Sequence, residues 1–370
     1  MDSAPSSVRR CSGGAAMTTH KPFAWTPLTV ATAYIPRPPT RYVIDELFEA
    51  GSLNIVYGAP GSLKSLLLLD ACACVVAGVP WLASGPGSTT GRSFATEQGA
   101  ALYLDFDNGM RRALDRLEAV ARHRQLGDTA PLLVVAMPSP WLDLTKGSPR
   151  DNHREQLAGY IQQHDAGLVV LDNLGVISGD ADENAADMAQ VMAALRWVAE
   201  ETGAALVVIH HQRKGAVGGK QRNGDSLRGH SCIEASLDLA LRVERNADDS
   251  ELLSVEATKA RGVAVDPFGA RFSYKRKPGT RDLETATFWG ETPSNLSPDA
   301  QARNAISDVL SAQGALNQKT LVAEVQAHLG STKIGRDRIL RNLAILVSRG
   351  LVAEQQGALK NAKMYAVALP

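Results

Sequence analysis

Short apolar runs alternate with polar, helix-forming segments along most of the chain. The apolar runs have the length and composition of buried strands, and segments 111–124 and 187–202 repeat apolar residues with helical spacing. This alternation is typical of a parallel sheet covered by helices on both faces. We therefore predict an α/β fold with a mainly parallel, twisted sheet between about Pro39 and Trp289. The predicted strands are residues 54–57, 101–106, 132–136, 167–171, 205–210, 237–243 and 252–258.

The pattern changes after residues 291–299, whose Pro and Ser content predicts a linker. Three helices are predicted beyond it, and a pair of strands follows them. This order is that of a winged-helix domain, a small α+β variant of the helix-turn-helix. These helices are expected at 300–312, 318–328 and 334–349, and the strands at 351–354 and 363–367. We thus expect a disordered tail at 1–27, an α/β domain at 28–290, the linker, and a winged-helix domain at 300–370.

Charge distinguishes the C-terminal segment from the rest of the chain. Basic and acidic residues balance overall at 39 each, whereas residues 301–370 carry nine Lys and Arg against four Asp and Glu. On the third helix predicted there, Arg338 and Arg341 face away from an apolar stripe. The two arginines predict contact with DNA. Because winged-helix domains also bind proteins, docking of a protein partner stays open as the alternative.

Cysteine usage and hydropathy bear on the compartment. No run approaches the roughly 20 apolar residues that span a bilayer. The segment after Arg9-Arg10 lacks the apolar stretch of an export signal. The cysteines lack the spacing of a metal site or a disulfide framework. We therefore expect a cytoplasmic protein without a membrane partner, whose cysteines are Cys11, Cys72, Cys74 and Cys232.

The most informative motif follows the first predicted strand and opens a helix. Strand, Gly-rich turn and helix N-terminus together form a concavity of backbone N–H groups that favours a polyphosphate. Lys64 supplies a cation for the β- and γ-phosphates, and Ser65 can ligate Mg²⁺. Leu63 stands where such loops usually have Gly, and we expect it to enter the helix with a negative φ. The predicted nucleotide-binding residues are Gly58, Ala59, Pro60, Gly61, Ser62, Leu63, Lys64, Ser65 and Leu66.

Two further strands end in acidic residues. Asp172 follows the apolar run 168–171, and a carboxylate at that position can order the magnesium shell. Asp105 and Asp107 end an earlier strand, on the same side of it. Because ligands of open parallel sheets bind at the carboxyl edge, Asp107, nearer the strand tip, is the predicted base that positions water. Asp105 is the next candidate.

With these motifs in place, residues 47–274 resemble the RecA-like ATPases of RepA-type hexameric replication helicases, and more distantly DnaB-type helicases and RecA recombinases. The family has a Glu where this chain has Asp107, which is one methylene shorter. The resemblance implies that His211, in the His-His pair that ends a strand before Lys214-Gly215, senses the γ-phosphate. It also implies a basic channel loop at 215–224, with Lys220 and Arg222, that grips single-stranded DNA. Lys214 and Arg228, which flank the loop, are predicted to contact the DNA as well.

The same resemblance extends to the segment Thr258-Lys259-Ala260-Arg261-Gly262. In the family, this Lys and this Arg act on the site of a neighbouring subunit. The resemblance therefore implies an ATP- and Mg²⁺-dependent DNA helicase, assembled as a homo-oligomer that is most simply a hexamer. The partners expected are single-stranded DNA in the ring channel and DNA or a replication protein at the winged helix. The alternatives are an ATP-switched DNA-binding regulator and a recombination or repair ATPase without helicase activity.

Overall fold

The computed structural model describes residues 26–85, 91–139, 142–144, 152–178, 186–211, 231–262, 264–293, 298–330, 334–356 and 363–368. The chain divides into two compact units, Met1–Pro39 and Thr40–Pro370. In the described part of the first, Thr29 caps the short helix α1 (Val30–Ala33) through the backbone N–H of Thr32. The four-part division drawn from sequence stays a prediction, and residues 1–25 of the expected tail lie outside the described residues.

A nine-stranded sheet organises the described part of the second unit, in the order β11-β10-β9-β8-β3-β7-β6-β4-β5. The six strands from β8 to β5 in that order are mutually parallel, and β9, β10 and β11 continue the sheet antiparallel. The predicted α/β class with a mainly parallel sheet is confirmed. The strands are β3 (Leu53–Gly58), β4 (Ala100–Asp105), β5 (Leu132–Ala136), β6 (Ala166–Asp172), β7 (Ala205–His211), β8 (Leu239–Arg245), β9 (Leu252–Ala260), β10 (Phe268–Arg276) and β11 (Leu283–Glu291). A separate pair, β1 (Tyr42–Ile44) and β2 (Phe48–Glu49), is antiparallel.

Every strand predicted within this sheet is present, with its ends shifted by at most two residues. The direction of β9 and the existence of β10 and β11 were not predicted. β9 follows β8 after only six residues, too few for the crossover that a parallel connection requires. β10 alternates apolar and polar residues and exposes its last four, so it lacks the continuous apolar run of a buried strand.

Helices cover both faces of the sheet, and each face has its own apolar core. On β6, Val170 packs in the first core, whereas Val169 and Leu171 pack in the second. This alternation explains why the central strands are apolar at every position. The first core lies against α2 (Lys64–Ala77) and α3 (Met110–Arg124), and the second against α4 (His153–Gln163), α5 (Leu174–Ile177), α6 (Ala186–Thr202) and α7 (Ser231–Ser236).

The C-terminal segment forms a third apolar core among three helices and a small sheet. Asn317 caps the second of these helices by accepting a hydrogen bond from the backbone N–H of Thr320 at 3.0 Å. The predicted three helices and final strand pair are present. The elements are α8 (Pro298–Gln313), β12 (Leu316–Asn317), α9 (Gln318–Leu329), α10 (Arg336–Ser348), β13 (Val352–Gln356) and β14 (Lys363–Val367), with the antiparallel strand order β12-β14-β13.

Two remaining expectations concern cysteines and membranes. Cys72 and Cys74 are buried in α2. None of the helices within the described ranges combines the length and apolar character needed to cross a bilayer.

Candidate active site

The carboxyl ends of four parallel strands meet beside the start of α2. Gly58 at the end of β3 pairs with His211 at the end of β7. Asp172 at the end of β6 pairs with Asp105 at the end of β4 on one side and with Ile209 of β7 on the other. The motifs identified separately in the sequence therefore lie at one edge of one sheet, where open parallel sheets bind ligands.

The loop between β3 and α2 needs its two glycines for different reasons. A Cβ atom on Gly58 would lie 2.2 Å from the carbonyl oxygen of Val243, so no side chain fits there. Gly61 has a φ of +80°, and a Cβ atom there would meet nothing within 4 Å. Gly61 is therefore favoured by its positive φ and not by lack of space for a side chain.

Leu63 contradicts the expectation that it would enter the helix with a negative φ. It is the N-cap of α2 with a φ of 63° and a ψ of 13°, which is the left-handed conformation. Its side chain packs against the first apolar core, and its carbonyl accepts the first helical hydrogen bond from Leu67 at 2.9 Å. The loop thus keeps the turn that Gly usually provides, at a conformational cost of about 1–2 kcal/mol for an L-residue.

Lys64 is buried and turned into its own loop. Its Nζ donates to the carbonyl oxygens of Gly58 at 3.1 Å and Ala59 at 2.9 Å, and to Ser62 Oγ at 3.2 Å. Burial lowers the pKa of Lys64 to about 8, although the charge of Asp172 opposes this. Phosphate oxygens entering the loop can replace these neutral acceptors and restore full charge to the ammonium group.

Asp172 is almost fully buried, and its two carboxylate oxygens have different surroundings. Oδ2 accepts a hydrogen bond from Tyr103 Oη at 2.8 Å. Oδ1 is buried without a hydrogen-bond partner in the part of the chain that the structure describes. Burial raises the pKa of the Asp172 carboxyl, the charges of Asp105 and Asp107 add to this, and the hydroxyls of Ser65 and Tyr103 oppose it.

These donors fit Mg²⁺. An unpaired buried carboxylate oxygen costs free energy that a cation can recover, and the Ser65 hydroxyl lies beside Asp172. Among the described residues there is no cluster of three or more His, Cys, Asp and Glu able to hold a metal. Mg²⁺ in phosphate-binding sites typically takes one or two protein oxygens and completes its shell with phosphate oxygens and water.

Asp105 and Asp107 have different surroundings. Asp105 is buried, and its Oδ1 accepts from the backbone N–H of Asp107 at 3.1 Å and from that of Asn108 at 2.8 Å. The side-chain amide of Asn108 donates to both Asp105 oxygens at 3.0 Å. Asp107 is exposed beyond the strand end. The geometry therefore makes Asp105 a scaffold for the turn and leaves the carboxylate of Asp107 accessible to a water molecule.

His211 ends β7 within electrostatic range of Lys64, Asp172 and Asp107. Burial and the charge of Lys64 lower the pKa of His211, while the two carboxylates oppose the shift. The ring is therefore neutral near pH 7. Its Nδ1 is buried and makes no hydrogen bond to any residue in the described ranges. A neutral ring with an unused nitrogen at this edge can bond to a phosphate oxygen or to water.

A cavity of about 400 Å³ adjoins the loop on the side of the antiparallel strands. Leu63 and Leu66 line the cavity from the loop and the helix. Phe272 and Tyr274 of β10 also line it, and their ring centroids are 5.0 Å apart. Arg245 reaches from its wall to the carbonyl oxygen of Gly61 at 3.3 Å. An aromatic wall beside a phosphate cradle suits the base of a nucleotide. The alternation of β10 is the sequence signal that would have located these two aromatic residues.

Lys259 and Arg261 lie at the opposite edge of the sheet. Ala260, between them, pairs with Leu239, which begins β8, and the start of β8 lies beside the start of β3. Lys259 Nζ donates to the carbonyl oxygen of Glu234, and Arg261 donates to that of Ala235 and pairs with Asp238 at 3.5 Å. The chain therefore does not bring these two cations to its own phosphate loop.

The predicted DNA contacts are only partly described. Lys214, Lys220, Arg222 and Arg228 lie outside the described residues. On α10, Arg341 is exposed, whereas Arg338 forms an ion pair with Asp299 at 3.3 Å. A DNA role for either arginine stays a prediction.

Fold and site together define a P-loop ATPase with a RecA-like core. A comparison with known families agrees, because residues 19–217 match the AAA domain family. The match covers more than half of the chain, so this protein belongs to that family of nucleotide-hydrolysing domains.

Proposed function

We propose that the protein is a Mg²⁺-dependent ATPase of the RepA helicase type, which assembles into a ring, most simply a hexamer, and moves along single-stranded DNA. The observation that carries the proposal is the division of the site between two sheet edges. Lys64, Asp172 and Asp107 lie at one edge, whereas Lys259 and Arg261, on either side of the last residue of β9, lie at the other. Because the chain does not bring Lys259 and Arg261 to its own phosphate loop, a second copy of the chain is the simplest source of these two cations for the site.

Each residue then has a defined task. The loop backbone and Lys64 hold the phosphates, while Ser65 and Asp172 order the metal shell. Asp107 positions the attacking water and accepts its proton. His211 senses the γ-phosphate, and Arg261 of a neighbouring copy offsets charge on the transferring group. Mg²⁺ held by Ser65 and Asp172 would supply positive charge that offsets the charge developing on the phosphates.

The C-terminal segment has the element order of a winged helix, which supports a role in docking DNA or a replication protein. Asp266, between β9 and β10, contacts this segment: it accepts from Arg303 of α8 at 2.7 Å and pairs with Arg349, after α10, at 3.5 Å. Arg336 and Arg341 are exposed cations of α10.

The experiment is steady-state ATP hydrolysis with and without single-stranded DNA, combined with the native mass in a non-hydrolysable ATP analogue. We expect turnover stimulated by DNA and a mass of several subunits. Lys64→Ala is the matched inactive control, and its ATP affinity should fall at least about tenfold, or about 1.4 kcal/mol. An oligomer that hydrolyses ATP with no response to DNA would contradict the helicase proposal. Nucleotide-dependent DNA binding without unwinding would favour a regulator.

A further inference from the structure

A buried hydrogen bond connects Tyr103, a residue without a function so far, to the carboxylate assigned to the metal shell. Tyr103 lies within β4 and is buried. Its Oη lies 2.8 Å from Asp172 Oδ2 and 3.3 Å from the carbonyl oxygen of Ser65. Both neighbours are acceptors and the hydroxyl has one proton, so the shorter, charge-assisted bond to the carboxylate takes it. The Tyr103 side chain thus joins β4 to β6.

The bond determines which oxygen of Asp172 is free. Oδ2 is satisfied by Tyr103, whereas Oδ1 is buried and without a partner among the described residues. The backbone of β6 is engaged on both sides by its ladders with β4 and β7. The Tyr103 hydroxyl on Oδ2, with the Ser65 hydroxyl beside the carboxylate, therefore holds Asp172 in a single orientation, with Oδ1 left for a ligand.

We propose that Tyr103 is a positioning residue that orients Asp172 Oδ1 for the Mg²⁺ that accompanies ATP. The inference rests on the proposed function, because it takes Asp172 as the residue that orders the metal shell. Phenylalanine at position 103 would fill the same volume but leave Oδ2 buried and unpaired. The carboxylate would then turn to find another donor, and Oδ1 would leave the position that the metal requires.

The test compares Tyr103→Phe with Tyr57→Phe. Tyr57 is a matched control because it is buried in the same sheet and its Oη bonds to Thr258 Oγ1, a neutral group, at 3.1 Å. Mn²⁺ affinity is measured by electron paramagnetic resonance on the full chain with a non-hydrolysable ATP analogue. Tyr103→Phe should weaken Mn²⁺ binding by about 10- to 100-fold. Analogue affinity without metal should stay unchanged, and Tyr57→Phe should match the wild type in both measurements.

A double-mutant cycle shows whether Tyr103 acts through Asp172. In an Asp172→Asn background, which has already lost the carboxylate, Tyr103→Phe should cause no further loss of Mn²⁺ affinity. Excess Mg²⁺ should restore hydrolysis in Tyr103→Phe alone. Wild-type Mn²⁺ affinity in Tyr103→Phe, or an equal loss in Tyr57→Phe, would overturn the inference and leave the proposed function standing. Failure of the wild type to bind Mn²⁺ with the analogue would instead overturn the proposed function.

Discussion

Replacing Asp107 and Asp105 in turn by Asn tests whether Asp107 is the catalytic carboxylate and Asp105 a structural one. Asp107 is exposed, so Asp107→Asn should change the free energy of unfolding by no more than about 0.5 kcal/mol. Asp105 is buried and its carboxylate accepts four hydrogen bonds from Asp107 and Asn108. Asp105→Asn removes the charge from these bonds and places an amide donor opposite the Asn108 amide. We expect a loss of about 1–3 kcal/mol.

The effects on catalysis should be in the opposite order, with the larger loss of activity in Asp107→Asn. Loss of the base should lower kcat by roughly 10²-fold or more in Asp107→Asn while ATP binding is retained. Asp105→Asn should keep more activity than Asp107→Asn at temperatures where it is folded. Asp107→Glu is the conservative control, and we expect it to match or exceed the wild type.

The assays are urea unfolding followed by circular dichroism and single-turnover ATP hydrolysis, both performed on the same preparations. Normal hydrolysis by Asp107→Asn would refute its assignment as the base. A larger catalytic loss in a folded Asp105→Asn than in Asp107→Asn would transfer the role to Asp105.

Three further predictions concern the loop and the assembly. The left-handed backbone at position 63 should make Leu63→Gly more stable than Leu63→Ala by about 1 kcal/mol. As the control, Ala121→Gly in the helix α3 should lower the free energy of unfolding by about as much. A Leu63→Gly variant less stable than Leu63→Ala in urea unfolding would contradict the positive φ. Because the pKa of Lys64 is about 8 and phosphates favour its charged form, ATP binding at one pH unit above that pKa should take up a proton. ATP affinity should therefore fall as the pH rises. Calorimetry in buffers of different ionisation enthalpy will measure the proton uptake. Arg261→Ala alone should lower activity by about 10³-fold, and Lys64→Ala alone should be inactive. A mixture of the two subunits should recover part of the activity. Hetero-oligomers without recovery would exclude action of Arg261 on a neighbouring site.

Local patterns in the sequence determined the central sheet and the core of the site. β3, β4, β6 and β7 are buried on both faces, so their apolar runs stand out without any knowledge of partners. The phosphate loop depends on residues adjacent in the chain, and Asp172 and Asp107 follow strands whose parallel ends must share an edge. Periodicity also located α8, α9 and α10.

Tertiary structure alone decided which neighbours each of these residues meets. Leu63 adopts a left-handed conformation because the loop geometry and the contact of its side chain with the core outweigh its local preference. Tyr103 looks like any core aromatic residue until β4 and β6 pair and bring its hydroxyl to Asp172, 69 residues away. The antiparallel direction of β9 places Lys259 and Arg261 far from the loop of their own chain. Contacts between distant segments depend on strand order and register, which the periodicity of a single segment does not encode.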